Sequence, residues 1–185
     1  MSAPTAAVLL PKPLTRLDRD FVDHLMGSET RTIGDLNNPF YWSYGLPSDV
    51  STEHFPALSE AFGFTPVDGI FLSPCVRGTG GSQALGEFCA LLSERLGGIV
   101  DFHGNLSPLE LIDESIDYWS VDWKVIEPIV TAALSRLPGR VVALAYEVPG
   151  GRQWACHYGD AEFMRAWLRH PYSGLNEPVV PEPSE

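Results

Sequence analysis

Residues 71–92, FLSPCVRGTGGSQALGEFCALL, form the stretch most typical of a chemical site, because an apolar run leads through glycines into a helical pattern. Many proteins bind phosphate at such a junction through backbone N–H groups. A P-loop needs Gly-Lys-Ser/Thr, whereas Gly81 is followed by Ser82, and the dinucleotide fingerprint needs a third glycine where Gln83 stands. We therefore interpret these glycines as a tight strand-to-helix connection and not as a phosphate site.

The three cysteines offer little support for nucleophilic catalysis. Cys156 and His157 are adjacent on a predicted strand, so their side chains point to opposite faces and cannot form a dyad. Cys89 lies on the apolar stripe of a predicted helix and is expected in the core. Cys75 follows the end of a predicted strand and needs His103 or His157 to be brought near it by folding. The Gly-x-Ser-x-Gly elbow of serine hydrolases is absent.

Metal and acid–base sites are equally weak in the sequence. The five histidines are scattered, and there is no His-x-x-x-His, Cys-x-x-Cys or His-Glu-x-x-His pattern. We therefore predict no metal and no cofactor. Asp101 shares a strand face with His103, and Asp101 and Glu147 fall in or beside apolar strands, where burial raises a carboxyl pKa. A small enzyme with its site around Cys75, Asp101, His103 and Glu147 is thus the alternative.

The acidic–aromatic segment Glu110–Glu127, ELIDESIDYWSVDWKVIE, stands out most. It holds six acidic residues and one basic residue, together with three aromatic residues. Aromatic rings supply buried anchors in protein interfaces, and carboxylates supply complementarity to a basic partner. The alternative places Trp119 and Trp123, four residues apart, in the core with the acids as a solvated face. The predicted partner-binding residues are Asp113, Glu114, Asp117, Tyr118, Trp119, Asp122 and Trp123.

The distribution of charge narrows the class of partner. The chain has 12 basic and 24 acidic residues, a net charge of −12. Between Thr32 and Ser135 there are 3 basic and 14 acidic residues, so this stretch alone carries 3 − 14 = −11. Such a field repels nucleic acid and anionic membranes and attracts basic proteins. A simple role of the surplus acid in solubility is the other interpretation.

The pattern of elements predicts one α+β domain over residues 1–171, with a mixed, largely antiparallel sheet and helices packed on it. Residues 172–185 form an acidic, proline-rich tail that we expect to be disordered. Arg140–Val148 is apolar on both faces, which predicts a central strand, and Pro149-Gly150-Gly151 predicts a hairpin after it. A helix is predicted over Pro128–Leu137, with Pro128 in its first turn.

Local signals predict three further elements. Thr5–Leu10 is predicted to be a short strand. Apolar residues at helical spacing predict a helix that Ser82 caps and Gly97 ends. Asp160 is predicted to cap a last helix, which contains the i,i+4 pair Phe163 and Trp167.

The location of the protein follows from what the sequence lacks. No apolar run approaches the ~20 residues needed to cross a bilayer. The N-terminus, MSAPTAAVLLPKP, has no basic start and only a short apolar stretch, unlike a secretory signal. Three cysteines without a close pair are typical of a reducing compartment. We expect a cytoplasmic protein.

Four stretches carry a resemblance: RLGGIVDFHGNL, the Trp119–Pro128 region, LPGRVVALAYE and WACHYGDAEFMRAWLRHP. They resemble an uncharacterised family of small bacterial proteins over about residues 60–171. This family implies no activity, so no catalytic residue is carried over. In size, acidity and α+β character the chain is also similar in type to immunity proteins, the antidotes of antibacterial toxins, although type alone does not establish function.

These observations favour a non-enzymatic immunity protein that binds a cognate toxin and occludes its basic active site. A toxin acting on nucleic acid or a dinucleotide, such as a nuclease or an ADP-ribosyltransferase, has the positive cleft that such a surface fits. The small enzyme described above is the alternative. A third possibility is a subunit of a stable housekeeping assembly, which predicts a large apolar surface.

Overall fold

The computed structural model describes residues 5–29, 40–46, 52–74, 79–102, 123–148 and 152–169. They form a single α+β domain, as predicted. In chain order the elements are β1 (Ala6–Leu10), α1 (Arg16–Glu29), β2 (Phe40–Tyr44), a 3₁₀ turn (Thr52–His54), α2 (Phe55–Phe62), β3 (Asp68–Pro74), α3 (Thr79–Leu96), β4 (Ile99–Asp101), α4 (Trp123–Leu134), β5 (Val141–Val148), β6 (Arg152–Gly159) and α5 (Ala161–Leu168). The predicted tail, 172–185, lies outside the described residues.

The six strands form one sheet in the order β2-β3-β1-β4-β6-β5. Every neighbouring pair is antiparallel. The strand β1, AAVLL, is buried along its whole length because it lies in the middle of the sheet with both faces covered. Its apolar character at successive positions is what that location requires.

The two faces of the sheet are covered by different numbers of helices. On the first face, which includes Val8 and Val100, buried side chains of α1, α3, α4 and α5 join one large apolar cluster. On the second face, which includes Leu9 and Tyr158, the smaller cluster is formed with Leu58 of α2 and its flanking aromatic residues. The apolar stripe predicted on α3 is confirmed, and Cys89 on that stripe is fully buried. Burial raises the pKa of the Cys89 thiol, which keeps it protonated and unreactive.

Two details of the predicted elements are wrong. β5 is an edge strand and not a central one. Its two faces are nevertheless covered in part, by α4 on the first and by the turn before α2 on the second, which explains the apolar pattern. The helix α4 begins at Trp123, so Pro128 stands inside it and not in its first turn. Pro128 has no N–H, so the hydrogen bond that would reach the carbonyl of Lys124 is missing there.

One carboxylate, that of Asp160, joins the start of β5 to the start of α5. Asp160 is the N-cap of α5, as predicted, and its Oδ1 accepts a hydrogen bond of 2.8 Å from the N–H of Phe163. Its Oδ2 accepts a second bond, 3.0 Å, from the N–H of Arg140. The start of β5 and the start of α5 are therefore tied to the same side chain.

Candidate functional site

The acidic–aromatic segment lies mostly outside the described residues. This applies to the predicted contacts Asp113, Glu114, Asp117, Tyr118, Trp119 and Asp122, whereas Trp123 is the first residue of α4 and only its backbone is described. The end of the segment is fixed, because α4 packs on β5 and β6 and buries Val130 and Leu134. The segment thus leads into a helix that is anchored on the sheet beside its β5 edge.

The residues of the enzyme alternative are described only in part. Cys75 and His103 lie outside the described residues, and so does the side chain of Glu147. Asp101 is the last residue of β4 and is 1% exposed. Its position on an apolar strand therefore does bury it, as the sequence suggested.

The register of the strands separates Asp101 from Glu147. Asp101 pairs with Tyr158 of β6, whereas Glu147 pairs with Gln153, five residues along the same strand. At about 3.3 Å per residue and about 4.8 Å per strand spacing, the two backbones lie roughly 20 Å apart. Two carboxyl groups at that separation cannot act on one substrate atom, so the fold does not assemble this pair into a catalytic site.

A polar cluster on the second face was missed by the sequence analysis. Its members are His54, Asp101, Tyr146, Cys156 and Tyr158. The ring Nδ1 of His54 lies 2.8 Å from the hydroxyl of Tyr158, and its Nε2 lies 3.2 Å from the carbonyl oxygen of Ala145. A carbonyl only accepts, so Nε2 carries a proton and donates it, while Nδ1 shares its hydrogen bond with the Tyr158 hydroxyl, which can donate or accept. The orientation of the His54 ring is thereby fixed.

The hydrogen bonds of this polar cluster have a structural role. Both ring nitrogens of His54 are hydrogen-bonded, so neither is available as a base. Burial raises the pKa of Tyr146 to about 12, with the nearby Cys156 and Asp101 adding to the effect, so this phenol stays neutral at physiological pH. The hydrogen bonds of His54 join the turn before α2 to β5 and β6. Among the described residues, no three His, Cys, Asp or Glu side chains come together as metal ligands.

Removal of the Tyr158 hydroxyl tests this role. Tyr158→Phe leaves the buried Nδ1 of His54 without its hydrogen-bond partner, and we expect the free energy of unfolding to fall by about 1–3 kcal/mol. Urea denaturation measures it. The matched control is Tyr146→Phe, which removes the same group from the same face at a half-buried position and should cost less. Equal losses in the two variants would show that the bond to His54 contributes nothing specific.

Comparison with known proteins identifies a family and no function. The model of a family of unknown function, DUF6368, matches residues 2–173. This confirms the resemblance to an uncharacterised family and extends it to the first sixty residues, which the sequence motifs had not covered. No curated protein and no solved structure matches the chain. In the described part of the chain, no helix is both long enough and apolar enough to cross a membrane.

Proposed function

The chain belongs to the family of unknown function DUF6368, and we propose that it is a cytoplasmic, non-enzymatic immunity protein that occludes the basic active site of a cognate antibacterial toxin. The proposal rests on one observation. The acidic–aromatic segment concentrates six acidic residues and three aromatic residues against a single base. No other stretch of the chain combines charge of one sign with large amphipathic rings in this way.

The acidic–aromatic segment has the charge and the side chains to bind a basic cleft. Its carboxylates attract a positively charged cleft over distances of about 8 Å at physiological salt, and so steer the encounter. Tyr118, Trp119 and Trp123 supply side chains of the types that dominate binding energy in protein interfaces. A toxin that acts on nucleic acid or a dinucleotide binds anions, so its active site offers the complementary charge.

The fold supports this proposal at the end of the segment that is described. Lys124 is exposed on α4, and Glu127 is half-buried and accepts a hydrogen bond of 3.0 Å from the hydroxyl of Thr131. Val130 and Leu134 hold the same helix on the sheet. A binding segment that is attached to a packed helix loses less conformational entropy on binding than one attached to a free chain.

Charge reversal in the segment tests the proposal. The variant Asp113→Lys, Glu114→Lys, Asp117→Lys should weaken binding to the toxin domain by at least roughly tenfold and flatten the dependence of the dissociation constant on salt. The control reverses three exposed helical acids with the same change in net charge: Asp20→Lys, Glu60→Lys, Glu87→Lys. If the two triple variants lose affinity equally, the affinity depends on net charge and not on the acidic–aromatic segment. An unchanged affinity in the first variant would refute the assignment of the segment.

A further inference from the structure

His157 is a titratable side chain within the apolar interior of the first face. It alternates along β6 with Ala155 and Gly159, on the side opposite to Tyr158. The residue is 1% exposed, and burial lowers the pKa of its imidazole to about 4. His157 can take up a proton at its ordinary pKa only when an element that covers this face moves away and admits water.

The helices α4 and α5 both pack on β6, and α5 is firmly attached. Its side chains Phe163, Met164 and Trp167 are fully buried. Its N-cap, Asp160, is also bonded to the start of β5. Movement of α5 would therefore expose a large apolar area and break the hydrogen bonds that join it to the sheet.

The helix α4 is attached less firmly. Of its side chains that the structure describes, Val130 and Leu134 are buried, whereas Ile129 is 50% exposed. Pro128 removes one backbone hydrogen bond from the interior of the helix. Local stability increases with the number of buried apolar contacts and intact hydrogen bonds. We therefore expect α4 to open at a lower free energy than α3 or α5.

The charged and titratable groups described on the elements around His157 are directed elsewhere. Those of α4 and α5 stand at exposed or half-buried positions, and those of β4 and β5 belong to the second face. These groups are Lys124 and Glu127 on α4, Glu162 and Arg165 on α5, Asp101 on β4 and Tyr146 on β5. Glu127 is bonded to Thr131, and Arg165 is paired with Glu94 of α3. Burial is accordingly the cause of the lowered pKa of His157.

We propose that α4 is an acid-released cover: it opens away from β5 and β6 to admit a proton to His157, while α3, α5 and the central strands stay folded. The neutral imidazole fits beneath the closed helix, whereas the imidazolium requires water. Acid therefore shifts α4 towards its open state. The acidic–aromatic segment runs into α4, so the same opening releases the end of that segment from the sheet. The opening itself does not depend on the proposed function.

Hydrogen exchange of the full chain at pH 7 and pH 5 tests this proposal. After correction for intrinsic exchange rates, the opening constant of α4 should rise roughly twentyfold on acidification. This is the ratio expected for a group with pKa 6.5 in the open state and about 4 in the closed state. His157→Gln should abolish the rise. Glu127→Gln, which removes the described acid of α4, is the control and should retain it.

The wild type alone separates opening of α4 from unfolding of the whole domain. At both pH values the amides of α4 should be less protected than those of α3, and their exchange should depend less on low concentrations of urea, because local opening exposes less surface. Equal protection and equal urea dependence in α3 and α4 would overturn the proposal. So would an opening constant of α4 that does not change with pH, or a rise that persists in His157→Gln.

Discussion

Replacing Gly139 by alanine is expected to cost about 2–5 kcal/mol of unfolding free energy. Gly139 has φ +88°, and a Cβ there would lie 2.1 Å from the backbone nitrogen of Phe163 and 2.5 Å from Oδ1 of Asp160. The left-handed backbone alone costs an alanine about 1–2 kcal/mol. Relief of the clash requires movement of the N-terminus of α5 and costs about 1–3 kcal/mol more. Asp160 then loses its geometry as N-cap.

A second glycine separates the two contributions. Gly97 ends α3 with φ +71°, and nothing lies within 4 Å of the position where a Cβ would be added. Gly97→Ala should therefore show only the backbone cost, about 1–2 kcal/mol. Urea denaturation of both variants measures the difference. Similar losses at the two positions would mean that the start of α5 yields freely and that the contact between Gly139 and Phe163 is unimportant.

Acidification is expected to remove about 3 kcal/mol of stability through His157. This side chain is 1% exposed on the first face of the sheet, and burial lowers its pKa to about 4 from the ordinary 6.5. The unfolded chain therefore binds the proton more readily than the folded one. Above pH 6.5 His157 costs the folded state no stability. As the pH falls from 6.5 to about 4, the free energy of unfolding decreases by about 1.4 kcal/mol for each pH unit.

The His157→Gln variant isolates this effect, because its side chain hydrogen-bonds but does not titrate. The advantage of the wild type over His157→Gln in unfolding free energy should shrink by about 3 kcal/mol between pH 7 and pH 4. His24→Gln, at an exposed position on α1, controls for the number of histidines. Parallel pH profiles of the wild type and His157→Gln would show that His157 accepts a proton in the folded state without cost.

The sequence predicted the elements whose side-chain pattern reflects burial. β1 is a short apolar run between turns, and α3 has its apolar residues at helical spacing, so both were found at nearly the observed positions. The Asp160 cap was predicted because its position immediately before an amphipathic run is a local signal. Each of these features depends on residues within a few positions of one another.

The errors arose where the answer depends on distant residues. The side-chain pattern of β5 reflects how its two faces are covered and not whether both of its edges are paired. An edge strand with two partly covered faces therefore resembled a central strand. His54 and Tyr158 are 104 residues apart, and no spacing rule connects them. The only available signal was the alternation of side chains along a strand, which places Cys156 and Tyr158 on one face of β6 and allows Tyr146 on β5 to share that face. Register, which set Asp101 and Glu147 apart, is equally invisible in one sequence.

The most direct test of the proposed function is a pull-down of the tagged full-length chain from its native host, with the captured proteins identified by mass spectrometry. We expect the wild type and the Asp20→Lys, Glu60→Lys, Glu87→Lys control to capture the same basic protein with a toxin domain. The Asp113→Lys, Glu114→Lys, Asp117→Lys variant should not capture it. Failure of the wild type to capture any such protein, or its equal capture by both triple variants, would contradict the proposal.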